Sequence, residues 1–136
     1  MIKRKIFYSV IRADGITGIK EQNGYELQID GETFNAYHSM RDSRVYIIDP
    51  KNGLALQIYD VDESEDELSE IKLIEKAKEK LLQSQTLSGW KEKRDNKSYR
   101  LLGRMFKTYK RAESLREKQK EAEYRENEVR RQQDNE

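Results

Sequence analysis

Residues 25–59 read YELQIDGETFNAYHSMRDSRVYIIDPKNGLALQIY. Tyr25, Leu27 and Ile29 alternate with Glu26, Gln28 and Asp30. A period of two puts the apolar side chains on one face, the signature of a half-buried strand. Asp30-Gly31 follows, a pair that tolerates the positive φ of a two-residue hairpin loop. Thr33 to His38 returns as the next strand, and Met40 to Ser43 is a polar connection. Val45 to Ile48 is a further β-branched run, stopped by Asp49-Pro50-Lys51-Asn52-Gly53. Pro50 presets φ for the second position of a turn, and Asn52-Gly53 accepts left-handed backbone. Leu54 to Tyr59 then forms another strand.

On the N-terminal side, residues 2–12 (IKRKIFYSVIR) also read as a strand. Asp14-Gly15 signals a turn, and Asn23-Gly24 signals a second. Between them, Ile16 and Ile19 would add a short strand or pack on the sheet edge. Residues 2–60 thus predict a small antiparallel sheet of four to five strands built from consecutive hairpins.

On the C-terminal side, residues 60–70 carry seven acids and no base. Ser64 with Glu67 has capping-box spacing, and carboxylates favour the positive end of a helix. Leu68, Ile71, Ile74, Ala77 or Lys78, Leu81 and Leu82 recur at helical spacing, so residues 65–84 should form an amphipathic helix across the open face of the sheet. Ser84 to Gly89 reads as a linker, with Gly89 as a break. From about residues 91–98 to the end, good helix formers dominate. Leu101, Met105, Thr108, Ala112, Leu115, Ala122 and Val129 make a seam, but Gln119 and Glu126 fall on it, too polar for a sustained coiled coil. The class is α+β, with a sheet-plus-helix part over 1–89 and a charged helical arm over 90–136.

The 136 residues are 35% hydrophobic and 39% charged, so the core must be small and part of the helix solvated. There is no cysteine, which removes disulfides and thiolate metal sites. The basic N-terminus leads into an apolar run broken by Arg12 and Asp14, unlike a signal peptide. No stretch is long enough to span a bilayer. The expectation is a cytoplasmic protein with no membrane partner.

A formal net charge of +1 conceals strong segregation. Residues 90–111 (WKEKRDNKSYRLLGRMFKTYKR) hold nine basic residues, Lys91, Lys93, Arg94, Lys97, Arg100, Arg104, Lys107, Lys110 and Arg111, against two acids, a local net of +7. Tyr99 and Tyr109 stand among them, with Trp90 and Phe106. Cations interleaved with aromatics suit a polyanion, nucleic acid or an acidic protein face. These nine cations and two tyrosines are the candidate binding residues. Two plainer roles compete: the cations could pair with the acidic run at 60–70, and the aromatics could be core contacts with the sheet.

Catalytic patterns are missing. His38 is the only histidine, and Ser39 beside it would point to the opposite strand face. Asp30, Glu32, Asp42 and Asp49 sit at predicted turns, where short acids serve local hydrogen bonds. Gly15, Gly18 and Gly24 lack the spacing of a phosphate loop. Neither a catalytic residue nor a metal or other cofactor is assigned, although a metal-free RNase built on His, Lys, Arg and Tyr leaves no motif to read.

Gly31, Phe34, Asp49, Pro50, Gly53 and Leu54 form a "Gly-x-x-Phe … Asp-Pro-x-x-Gly-Leu" core. Over residues 25–59 this resembles small proteins of phages and mobile elements of Gram-positive bacteria. The resemblance implies an accessory protein without catalytic residues, and by analogy of class an anti-CRISPR-like inhibitor of a host nucleoprotein complex. Direct RNA or DNA binding is the second expectation. The third is a structural protein that self-associates through residues 98–129.

Overall fold

In a computed structural model describing residues 1–13 and 15–134, the chain is an α+β fold. Five antiparallel strands lie in sequence order: β1 (Ile2–Arg12), β2 (Gly15–Ile29), β3 (Glu32–Ser39), β4 (Arg44–Ile48) and β5 (Ala55–Asp60). Three helices follow: α1 (Glu70–Gln83), α2 (Thr86–Lys93) and α3 (Lys97–Asp134). Asp14, half of an expected turn, and the end of the expected helix, Asn135 and Glu136, lie outside the described residues.

The Asp30-Gly31 loop is as the sequence predicts. Both residues have positive φ (53° and 79°), and Ile29 pairs with Glu32 across them. Asn23-Gly24, by contrast, is no turn. β2 runs straight through it for 15 residues. Gly24 is buried there, and a Cβ on it would lie 2.5 Å from the Ala36 carbonyl oxygen and 2.9 Å from Ile6 Cδ1. Its missing side chain permits close approach of backbone, not a reversal.

That approach accompanies a tight curl of the sheet. In a flat sheet Tyr8 and Tyr37 would be two strands (about 10 Å) and four residues (about 13 Å) apart. Their rings in fact stack with centroids 5.1 Å apart. The β1–β2 hairpin therefore folds over β3 and β4. The Ser9 N–H donates to the Gly53 carbonyl at 2.9 Å, joining β1 to the β4–β5 connection.

One face of the sheet carries the main core. Leu27, Ile29, Phe34, Ala36, Val45 and Ile47 meet Leu73, Ile74, Ala77 and Leu81 of α1, and Leu87 and Trp90 of α2. The other face holds a smaller cluster of Ile6, Tyr37 and Ile48, flanked by Tyr8 and Tyr46.

The helix over 65–84 begins later than its acidic lead suggests. Glu65 closes a capping box with Asp62 around a single 3-10 turn (Glu63–Glu65), replacing the expected Ser64–Glu67 box. Its carboxylate accepts the Asp62 N–H at 3.0 Å and the Tyr59 hydroxyl at 2.8 Å, and pairs with Lys76 at 2.7 Å. With Glu65 held by the strand, α1 starts afresh at Glu70, where the Ser69 hydroxyl accepts the Lys72 N–H at 3.3 Å. The expected linker is corrected too. The chain breaks at Ser84, and Gly89 lies inside α2, whose Leu87 and Trp90 are buried. Burial of those two side chains outweighs the low helix propensity of one glycine.

α3 docks only by its first part. Phe106 is its one buried residue among the described side chains, and Tyr99, Leu102, Met105 and Tyr109 are half-buried. Residues 114–133 are all exposed, so the arm projects from the body.

Candidate nucleic-acid interface

The β4–β5 connection and the start of α3 enclose a cleft of about 540 Å³. Asp49 organises it from below. Its Oδ1 accepts the Lys51 N–H at 2.9 Å, and its Oδ2 accepts the Trp90 indole N–H at 2.9 Å. The Gly53 N–H donates to the Asp49 carbonyl at 2.8 Å. The turn and α2 are thus tied at one buried carboxylate, 3% exposed. Gly53 holds φ at +69°, and a Cβ on it would lie 2.6 Å from Phe106 and 2.7 Å from the Ser9 nitrogen. Only glycine lets Phe106 seat here, and Phe106 sets where α3 lies.

Six cations line the cleft: Lys51 on the turn, Arg94 after α2, and Arg100, Arg104, Lys107 and Lys110 on α3. Positions 100, 104 and 107 are three or four apart, so they share one helical face at about 5–6 Å spacing. Asp49 and Asp95 are the acids. Asp49 is engaged as described, and Tyr99 and Phe106 supply apolar wall.

Two of the cations are partly committed. Arg94 pairs with Glu32 at 2.6 Å and lies over the Trp90 ring, 5.2 Å from its centroid. The hydrogen bond from Arg94 holds the Glu32 carboxyl below its usual pKa and, in return, raises that of the guanidinium. Lys110 sits between Phe7 and Phe106, 5.3 Å and 5.5 Å from the ring centroids. Lys51, Arg100, Arg104 and Lys107 form no ion pair among the described residues.

The fold therefore gathers six of the candidate residues: Arg94, Tyr99, Arg100, Arg104, Lys107 and Lys110. The rest lie elsewhere. Lys91 pairs with Asp30, lowering that carboxyl's pKa through the hydrogen bond it donates. Lys93 borders a second cleft with Gln85 and Thr86. Lys97 and Arg111 are exposed outside the cleft, and Tyr109 is half-buried against the body. Lys51 is the member sequence reasoning missed. Its signal was a lone base inside a turn motif, and only the docking of α3 turns that base into part of a site.

Both plainer roles have an answer. Among the described residues no ion pair links 60–70 with 91–111; Glu65 pairs with Lys76 instead, and the basic segment takes its partners from the β2–β3 hairpin. The aromatics divide: Trp90 and Phe106 are core, while Tyr99 and Tyr109 are half-buried.

His38 lies on β3 opposite Val45, with a buried Nδ1 that has no hydrogen-bond partner among the described residues. Asp42 accepts the Tyr46 hydroxyl at 2.5 Å, which with Ser39 and Arg44 holds its pKa down despite partial desolvation. No helix among the described residues is long and apolar enough to cross a membrane. Comparison with family models, with characterised proteins and with solved structures finds no match to this chain.

Proposed function

We propose that the protein binds nucleic acid, free or within a nucleoprotein complex, through the cationic cleft between the β4–β5 connection and α3. The observation that carries this reading is the set Lys51, Arg100, Arg104 and Lys107, four cations on one concave surface that form no ion pair among the described residues. Asp49 and Asp95 are the acids of the cleft, against six cations, so the surface keeps an excess of positive charge that a phosphate backbone would neutralise. Four such contacts would release about four counterions, and affinity would fall about 50- to 150-fold between 50 and 200 mM salt.

The test is filter binding or fluorescence anisotropy across that salt range, with the triple variant Arg100→Glu, Arg104→Glu, Lys107→Glu beside the parent. All three residues are exposed, so the variant keeps its fold, read from Trp90 emission. It should bind far more weakly and lose most of the salt slope. Salt-independent affinity, or an unaffected variant, would refute the reading.

The narrower role, inhibition of a host nucleoprotein complex by a mobile-element protein, draws on the resemblance over residues 25–59. Capture of such a complex from host lysate, with and without nuclease, tests it; no partner under either condition counts against it. Self-association through the arm is a second reading, favoured by the exposure of Leu115 (61%) and Val129 (52%). A concentration-independent monomer in sedimentation would exclude it.

A further inference from the structure

On the far side of the Ser9–Gly53 junction the curled sheet holds another cleft, of about 670 Å³. That volume is in the range of small-molecule sites. Tyr8, Tyr37 and Tyr46 form a column along its floor. Successive centroids are 5.1 and 5.0 Å apart, with ring planes within 20° and 16° of parallel. Tyr37, in the middle, is buried; Tyr8 and Tyr46, at the ends, are only half-buried. No helical residue joins this cluster, in contrast to the opposite face, which α1 and α2 cover. The two outer rings of the stack, Tyr8 and Tyr46, are thus left beside solvent. Arg41 and Asp42 line the same cleft and offer donors and acceptors.

The wall between the two clefts is thin. Asn52 lines the cationic one and Gly53 the aromatic one. Ser9 bridges them, its hydroxyl donating to the Asn52 carbonyl at 2.5 Å and its N–H to the Gly53 carbonyl at 2.9 Å. The Lys51–Asn52 edge of the cationic cleft is thus continuous in the chain with the Gly53–Ala55 lining of the aromatic one. In a duplex the base faces are occupied by their neighbours. An unpaired strand can turn a base out to an aromatic site without the unpairing cost, about a few kcal/mol, that flipping one from a duplex requires.

We propose that the tyrosine-lined cleft receives an unpaired nucleobase of the strand held in the cationic cleft, so that the ligand is single-stranded nucleic acid rather than duplex. The inference rests on the binding reading above and goes further by naming the ligand class. The base ring meets the tyrosine column, and Arg41 and Asp42 meet its polar edge. The cationic cleft supplies affinity for any phosphate chain, and the aromatic cleft responds only to bases.

Three probes of equal length separate these contributions at one salt concentration: oligothymidylate, an abasic phosphodiester chain, and a duplex. Oligothymidylate should bind the full-length protein about 5- to 150-fold more tightly than the abasic chain, the range for stacking of one base. The duplex should also bind more weakly than oligothymidylate. Tyr8→Leu and Tyr46→Leu should each shrink the preference for oligothymidylate and leave abasic affinity unchanged. Tyr46→Phe, which keeps the ring, should retain the preference. Equal affinity for oligothymidylate and the abasic chain overturns this inference alone, as does a duplex bound as tightly as the single strand. Binding by none of the three at low salt overturns the cationic-cleft reading and this one with it. The probe comparison needs no variant, so misfolding of a substituted protein does not shield the proposal.

Discussion

Replacing Phe106 with alanine separates α3 from the body, and the size of the effect follows from where the ring sits. Phe106 is 1% exposed, the one buried side chain described on α3. It packs onto Gly53, whose carbonyl accepts the Ser9 N–H, with Lys110 over its ring. Truncating a buried Phe costs about 3–5 kcal/mol, and the figure rises where the site cannot collapse. Here the wall is hydrogen-bonded backbone, the Ser9 N–H to the Gly53 carbonyl, so the upper half of that range applies. The remaining contacts of α3 come from the half-buried Tyr99, Leu102, Met105 and Tyr109. These should not hold the helix once Phe106 is gone. The main core contains no residue of α3 beyond the flanking Tyr99, so it should survive. Hydrogen exchange resolves the two events. Protection of amides across residues 99–110 should drop by about 4–5 kcal/mol or to the level of a frayed helix. Emission from Trp90, against Phe34 in the main core, should not change without denaturant. Nucleic-acid affinity should fall as the cleft opens. A loss of protection below about 1 kcal/mol would refute the view that the aromatic stripe anchors the cationic one.

Three further substitutions test the close packing at Gly53 and the cap at Glu65. Gly53→Ala should cost about 2–5 kcal/mol in urea unfolding, from positive φ plus overlap with Phe106 and Ser9, whereas Gly31→Ala, at φ +79° with open space around it, should cost only about 1–2 kcal/mol; equal losses would mean that close approach at Gly53 is not limiting. Glu65→Gln probes the cap between β5 and α1. Lys76, the Asp62 N–H and the Tyr59 hydroxyl pull the Glu65 pKa from 4.5 down to about 2. A depressed carboxyl pKa stabilises the fold above the unfolded value, and that stability is lost as pH falls through the folded one. The parent should therefore melt above the variant at neutral pH, and the two midpoints should converge between about pH 4.5 and 2; a gap independent of pH would refute the assignment.

Most of the sheet is legible before any coordinates. Alternation over Tyr25–Ile29, the Asp30-Gly31 loop and the Asp49–Gly53 stop are local features, and each appears in the structure at the expected place. The misreadings share a cause. Asn23-Gly24 carries turn chemistry but serves a close approach to Ala36 and Ile6, residues distant in the chain. Ser64 and Glu67 carry cap spacing, yet Glu65 is claimed by Tyr59 and Lys76. Gly89 reads as a break, but Trp90 and Leu87 bring it into a helix through burial. In each case a tertiary contact outweighs a local preference worth about a kilocalorie.

The candidate site divides along the same line. Charge segregation and the helical repeat are covalent facts, and they determined that Arg100, Arg104 and Lys107 share a face. They could not say what the face looks upon. The packing of Phe106 on Gly53 brings Lys51 into that surface, the docking of α2 through Leu87 and Trp90 turns Lys91 and Arg94 toward Asp30 and Glu32, and Glu65 of the acidic run goes to Lys76. The tyrosine column is more remote still, since Tyr8 and Tyr37 are 29 residues apart and meet only because the sheet curls. Periodicity constrains neighbours within a few residues, through fixed rise and turn angles. Which surfaces meet is decided by burial and by hydrogen bonds between segments far apart in the chain.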